Sequence, residues 1–195
     1  MLIPRRRLLS GLVLWSAALH YAVAQLPPAA HVRNFGKVDN TVYRGGEPSP
    51  VGIEELGAMG IKTVIDLREP SHATALEREA VEKLKIKYVN VPMRELSAPT
   101  PAEVDQVLAI LLRPGAGPVF VHCRRGKDRT GTVIACYRIQ HDGWTNSKAQ
   151  SEANEYGMSH LERGMRSFIA HFQPGPGADA LVHCGPPGPA CPTQP

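Results

Sequence analysis

Val119-Phe120-Val121-His122-Cys123-Arg124-Arg125-Gly126-Lys127-Asp128-Arg129-Thr130-Gly131 is the stretch on which the reading of this chain turns. Val119-Phe120-Val121 is a short apolar run suited to a buried strand, and residues 131–140 (GTVIACYRIQ) read as a helix. A loop that turns from a strand end into a helix start points successive backbone N–H groups inward. It makes a concave nest for a tetrahedral anion at the positive end of the helix. Cys123 lies at the base of that nest, where the same field favours thiolate over thiol and depresses the pKa. Arg129 has the planar fork needed to grip two phosphate oxygens, and Gly126 lets the backbone bend close to the anion. The Thr130 hydroxyl is placed to stabilise the sulfur, and Arg124, Arg125 and Lys127 add cations suited to substrate binding.

Working outward, residues 42–44 form a strand candidate ending in Gly45-Gly46, and Ser49-Pro50 opens a helix that stops at Gly60. Residues 62–67 (KTVIDL) read as a β-branched strand, 74–85 as an amphipathic helix and 88–92 as the next strand. Thr100-Pro101-Ala102-Glu103 is a capping box that launches a helix over 103–112. Beyond the quoted stretch, helices are expected over 147–156, with Ser147 and Gln150 as a cap pair, and over 161–172. Strand and helix alternate with short connections, so the fold class is α/β, a central mostly parallel sheet flanked by helices.

The ends differ in character. Residues 1–24 carry a basic start (MLIPRRR), an apolar run and Ala22-Val23-Ala24 before Gln25, the pattern of a secretory signal peptide, or of an N-terminal membrane anchor if it is not cleaved. The arginines also fit a twin-arginine export signal loosely. Either route predicts a periplasmic or secreted domain. Residues 25–33 read as a linker, 34–172 as one domain, and 173–195 as a disordered tail, because Pro and Gly supply 11 of its 23 residues without a collagen period. The net charge of +4 falls to +1 once the three arginines of the signal leave, which removes the argument for a nucleic-acid partner. Of the four cysteines, Cys184 and Cys191 are expected to pair with each other. Cys136 reads as a small buried residue, with a reversible disulfide to Cys123 as the alternative.

His-Cys-five residues-Arg-Thr-Gly between a strand and a helix resembles the phosphate loop of the protein-tyrosine-phosphatase superfamily. Together with Val42-Tyr43-Arg44-Gly45-Gly46-Glu47-Pro48 and residues 62–68, it is similar to the small atypical dual-specificity phosphatases. The resemblance implies a dual-specificity-phosphatase-like fold and no metal or other cofactor. It implies Cys123 as nucleophile, Arg129 as phosphate clamp, Thr130 as sulfur partner and His122 as support for the loop. Gly126-Lys127-Asp128-Arg129 is similar to bacterial members and to relatives acting on phosphoinositides or inositol phosphates. Expected substrates are therefore a phosphotyrosine or phosphoserine protein, a phosphoinositide or an inositol phosphate.

The general acid is the departure from the pattern. Members commonly supply an Asp from the loop preceding the phosphate loop, and here that loop reads Met93-Arg94-Glu95-Leu96-Ser97-Ala98-Pro99. Glu95 is the first candidate and Asp128, inside the phosphate loop, the second. Arg68 and Arg94 are candidates for substrate binding, Arg68 equally for a strand-end ion pair with Asp66. Two other functions compete: a module that captures phosphate esters without turnover for want of an acid, and a rhodanese-type sulfurtransferase, against which Arg129-Thr130 speaks. His122, His141, His160, His171 and His183 have no metal-ligand spacing.

Overall fold

The structure, a computed structural model, describes residues 29–175. The expected signal segment and the Cys184–Cys191 pair lie outside the described residues. Strands β1 (Gly36–Lys37), β2 (Val42–Gly46), β3 (Thr63–Asp66), β4 (Lys87–Asn90) and β5 (Val119–Cys123) form one sheet in the order β1-β2-β5-β3-β4. All pairings are parallel except β1 with β2. This is the expected α/β architecture; the two-residue β1 is an addition that its length hid from the sequence.

β5 is the central strand, buried at all five positions. Its pleat sends alternate side chains to opposite layers. Val119, Val121 and Cys123 join Val42, Ile65 and Leu67 against helices α3 (Pro101–Leu111) and α4 (Asp128–Asp142). Phe120 turns the other way, with Val64, to pack on α1 (Pro50–Ala58) and α2 (His72–Lys83). A third cluster fills the space between α4, α5 (Asn146–Glu155) and α6 (Arg163–His171).

The helix starts follow local chemistry. Ser49 caps α1 ahead of Pro50, and the expected Thr100–Glu103 capping box closes α3. A second box, Ser71 with Thr74, starts α2 two residues before the expected boundary. For α5 the expected cap pair is corrected: Thr145, not Ser147, accepts from the Lys148 N–H, and the Ser147 side chain plays no capping part. α4 begins at Asp128 rather than at Gly131, so Arg129 and Thr130 stand within its first turn.

The linker boundary is also corrected. Ala29 and Val32 are buried against Ile53 and Leu56, and Val32 forms a β-bridge with Pro48. The packed domain therefore includes residues that proline content had assigned to a linker. At the other end, the backbone of Gly175 exchanges hydrogen bonds with the Gln140 side chain.

The reassigned cap gives a direct prediction. Thr145→Ala should lower stability by about 1 kcal/mol in urea unfolding, whereas Ser147→Ala should stay within about 0.5 kcal/mol of the parent.

Candidate active site

Parallel pairing on both flanks of β5 aligns three strand ends at one edge of the sheet. Gly46 pairs with Cys123, and Asp66 with His122. Residues 124–127 then turn over that edge into α4. The turn is tight because Gly126 adopts φ +70° and its α-carbon presses on β2: a Cβ there would stand 2.4 Å from the Gly45 carbonyl carbon. Only glycine fits both demands.

Cys123 is 3% exposed at the floor of this turn. Burial alone would push its thiol up. The hydroxyl and N–H of Thr130, the charge of Arg129 and the N–H of Arg125 outweigh burial and hold it below the ordinary thiol value. Arg129 is buried on the same side, its Nη1 donating to the Met93 carbonyl at 3.2 Å and the Leu67 carbonyl at 3.4 Å. The Thr130 hydroxyl also lies 3.5 Å from the Gly45 carbonyl. Cys123, Arg129 and Thr130, the residues expected to act as nucleophile, phosphate clamp and sulfur partner, thus lie at one place.

The remaining candidates are placed unevenly. Arg124 and Arg125 are exposed on the turn and Lys127 is half-buried beside Gly157. Asp128 is buried; its Oδ1 accepts the Ser159 N–H at 2.8 Å and its Oδ2 lies 3.6 Å from Arg125. Glu95 is half-exposed, 3.9 Å from the same guanidinium. Arg125 thereby gathers both candidate acids. Arg94 is exposed, and among the described residues its side chain makes no hydrogen bond or ion pair.

Arg68 is drawn inward, not toward solvent. Its Nη2 contacts Asp66 at 2.7 Å and Glu77 at 2.6 Å, and its Nη1 contacts Glu47, so its donors are committed to carboxylates. The strand-end ion pair is the reading these contacts favour over substrate binding. His122, fully buried on the α2 face, completes the cluster: Nε2 is 2.9 Å from Glu77, poorly aligned for a hydrogen bond but close as a charge pair. Burial would lower the His122 pKa, but Glu77 and Asp66 outweigh it and raise it. Burial would raise the Asp66 carboxyl, yet Arg68, His122 and Tyr88 hold it down. Asp66, Glu77 and His122 are close enough to converge on a metal ion. The Arg68 guanidinium already bridges the two carboxylates, so the donor set suits an internal cation.

Several supporting residues escaped the sequence reading. Arg44, 1% exposed on β2, donates from Nη2 to the Gly126 carbonyl at 2.9 Å and stacks 3.8 Å from the centre of the Tyr156 ring. Asn34 donates to the carbonyls of Gly126 and Tyr156. Glu77 lies on α2 with no motif around it. Arg44 was legible as an arginine in an apolar strand run; Asn34, Glu77 and Tyr156 carried no comparable signal. Cys136 is fully buried in the α3–α4 layer with its thiol pushed up by burial and Asp105, and both Cys123 and Cys136 are free thiols.

Residues 24–170 match the family model described as a DSP-PTPase phosphatase fused to NAD+ kinase. The chain belongs to this phosphatase family. It is 30% identical over 151 residues to the inositol diphosphatase DSP4 of Arabidopsis thaliana, covering 71% of each chain. It is 31% identical over 153 residues to the dual specificity protein phosphatase TpbA of Pseudomonas aeruginosa, covering 75% of this chain and 63% of that one. Among solved structures, the core catalytic domain of the PP-IP phosphatase SIW14 from S. cerevisiae shares the fold with a TM-score of 0.66 at 23% identity, covering 76% of this chain and 88% of the other. Crystalline TpbA gives 0.62 at 25% identity, covering 76% and 89%.

The charged cluster behind the loop makes stability depend on pH. Because the His122 pKa is raised on folding, its contribution is complete below the unfolded value of about 6.5 and is lost as pH rises through the folded value. Asp66 acts in the opposite sense, its contribution being lost as pH falls through its depressed pKa. Glu77→Gln should cost about 3 kcal/mol near pH 6 and flatten the decline on the alkaline side, measured by urea unfolding between about pH 5 and 9.

Proposed function

We propose that the protein hydrolyses phosphate monoesters through a phosphocysteine intermediate. The observation that carries this reading is the buried Cys123 held as a low-pKa thiol beneath the first turn of α4, with Arg129 beside it. In the reading, substrate phosphate sits in the turn over residues 124–129, the thiolate attacks phosphorus, and the ester P–O bond breaks. Arg129 spreads the charge on the equatorial oxygens. The departing oxygen takes a proton from a carboxylic acid, and the resulting carboxylate then removes one from the water that attacks phosphocysteine. Release of inorganic phosphate restores the thiolate, which the Thr130 hydroxyl stabilises as a leaving group.

Glu95 is assigned the proton transfer. It stands on a surface loop at the same sheet edge, with Arg125 as its one ion-pair partner among the described residues, whereas Asp128 already spends one oxygen on the Ser159 N–H. Asp128 remains the alternative donor. The substrate class is a phosphorylated protein, a phosphoinositide or an inositol phosphate. The exposed Arg124 and Arg125 support a substrate with more than one phosphate. We also read residues 1–24 as directing the domain out of the cytoplasm.

A capture module without turnover is the second reading, favoured only by the missing Asp in the loop before α3. Phosphate release from an aryl phosphate, phosphotyrosine peptides, phosphoinositides and inositol phosphates, assayed under reducing conditions without metal, separates the two. Turnover should vanish in Cys123→Ser and fall by at least about a thousandfold in Arg129→Ala. Tight ester binding with no release by the parent would instead identify the capture module. Glu95→Gln should slow release of poor leaving groups by about a hundredfold or more while sparing good ones, an outcome not expected of Asp128→Asn. The reverse pattern would move the acid to Asp128.

A further inference from the structure

The underside of the phosphate loop is built with more care than the fold requires. Arg44 is almost wholly buried, and burial pushes its guanidinium down to about 10, with Nε and Nη1 finding no acceptor among the described residues. Leaving buried guanidinium donors unpaired is costly, so the bonds Arg44 does make call for a reason. It makes one hydrogen bond, to the Gly126 carbonyl at 2.9 Å, and rests on the Tyr156 ring. Asn34, itself at φ +52°, donates to that same carbonyl at 2.9 Å. One loop carbonyl therefore receives two side-chain donors from outside the loop.

A trans peptide directs its C=O and N–H oppositely, so whatever anchors the carbonyl also aims the N–H of the next residue. A peptide earlier in the same loop shows this at work. The Glu47 N–H holds the Arg124 carbonyl at 3.3 Å, and the N–H of that same peptide, belonging to Arg125, is a donor to the Cys123 sulfur. The Gly126–Lys127 peptide is trans as well. Its carbonyl is pulled toward β2 and Tyr156, which directs the Lys127 N–H away from that scaffold.

We propose that Arg44 and Asn34 are positioning residues for the substrate phosphate: by holding the Gly126 carbonyl outward they aim the Lys127 N–H at the bound oxyanion. This rests on the reading of the loop as a phosphate site. Tyr156 is the platform that keeps Arg44 in place, so the segment after α5 is tied to phosphate recognition although it does not enter the site.

The test is binding of tungstate, a tetrahedral oxyanion, by calorimetry on the parent, Asn34→Gly, Arg44→Met and Arg44→Lys, beside the pH midpoint for alkylation of Cys123 by iodoacetamide. Glycine at 34 tolerates the positive φ and changes no charge. Asn34→Gly should weaken tungstate several-fold with an unmoved alkylation midpoint, because the donors to the sulfur lie on other peptides. Arg44→Met should weaken it by about tenfold and raise the midpoint, since a positive charge near the thiolate is lost; Arg44→Lys should recover most of both. The proposal is overturned if Asn34→Gly binds tungstate as the parent does while Arg44→Met loses binding only in step with its shifted thiol. Should Arg44→Met not fold, Asn34→Gly still decides. A parent that binds no tungstate would overturn this proposal together with the phosphate-site reading. Tungstate binding without ester hydrolysis would leave the proposal standing and remove only the hydrolase.

Discussion

A buried thiol whose pKa fixed donors hold down against burial is the constraint around which the rest of this domain is arranged. A buried charge needs compensation from fixed donors, and at Cys123 these come from Thr130, Arg129 and the Arg125 peptide. Each donor needs its own anchor. Arg129 is held by carbonyls at the ends of two strand segments, Thr130 by its place in the first turn of α4, and the Arg125 peptide by the backbone of Glu47. Removing any one anchor loosens a donor, so the short motif draws its geometry from residues spread over most of the chain.

Behind the loop, a second set of charges solves a different problem. Asp66, Glu77, Arg68 and His122 are all buried, and with His122 protonated the four formal charges cancel. A cancelled cluster can remain inside the protein, where an unpaired member could not. It also fastens β3, α2 and β5 together at the edge where the turn begins. Arg68 is tied into this support, its donors directed to Asp66, Glu77 and Glu47.

Much of this was legible in the sequence because it depends on local chemistry. The strand-loop-helix run around Cys123 states its own backbone geometry, and Ser49-Pro50 and the Thr100–Glu103 box declare their helices. What was not legible depends on tertiary neighbours. Whether Arg68 points to solvent rests on Glu77, nine residues away on another element, and Arg44 acquires its role only once β2 lies beside β5 and α5 closes over it. Residues 29–33 looked like a linker because prolines precede them; the apolar face of α1 is what makes Ala29 and Val32 core residues. Asp128 to Thr130 read as loop because they carry the loop's chemistry, although they already belong to α4.

The alternation along β5 carries a consequence for how this domain tolerates sequence change. Cys123 and His122 are adjacent in the chain but belong to separate layers, one facing α4 and the other α2. Substitutions at Glu77 of α2 meet the charged cluster directly, while those in the first turn of α4 meet the thiol. A substitution in one layer therefore first meets a different set of neighbours from one in the other. A single-residue insertion or deletion in β5 is the change that neither layer can absorb, because it would exchange the contents of both at once.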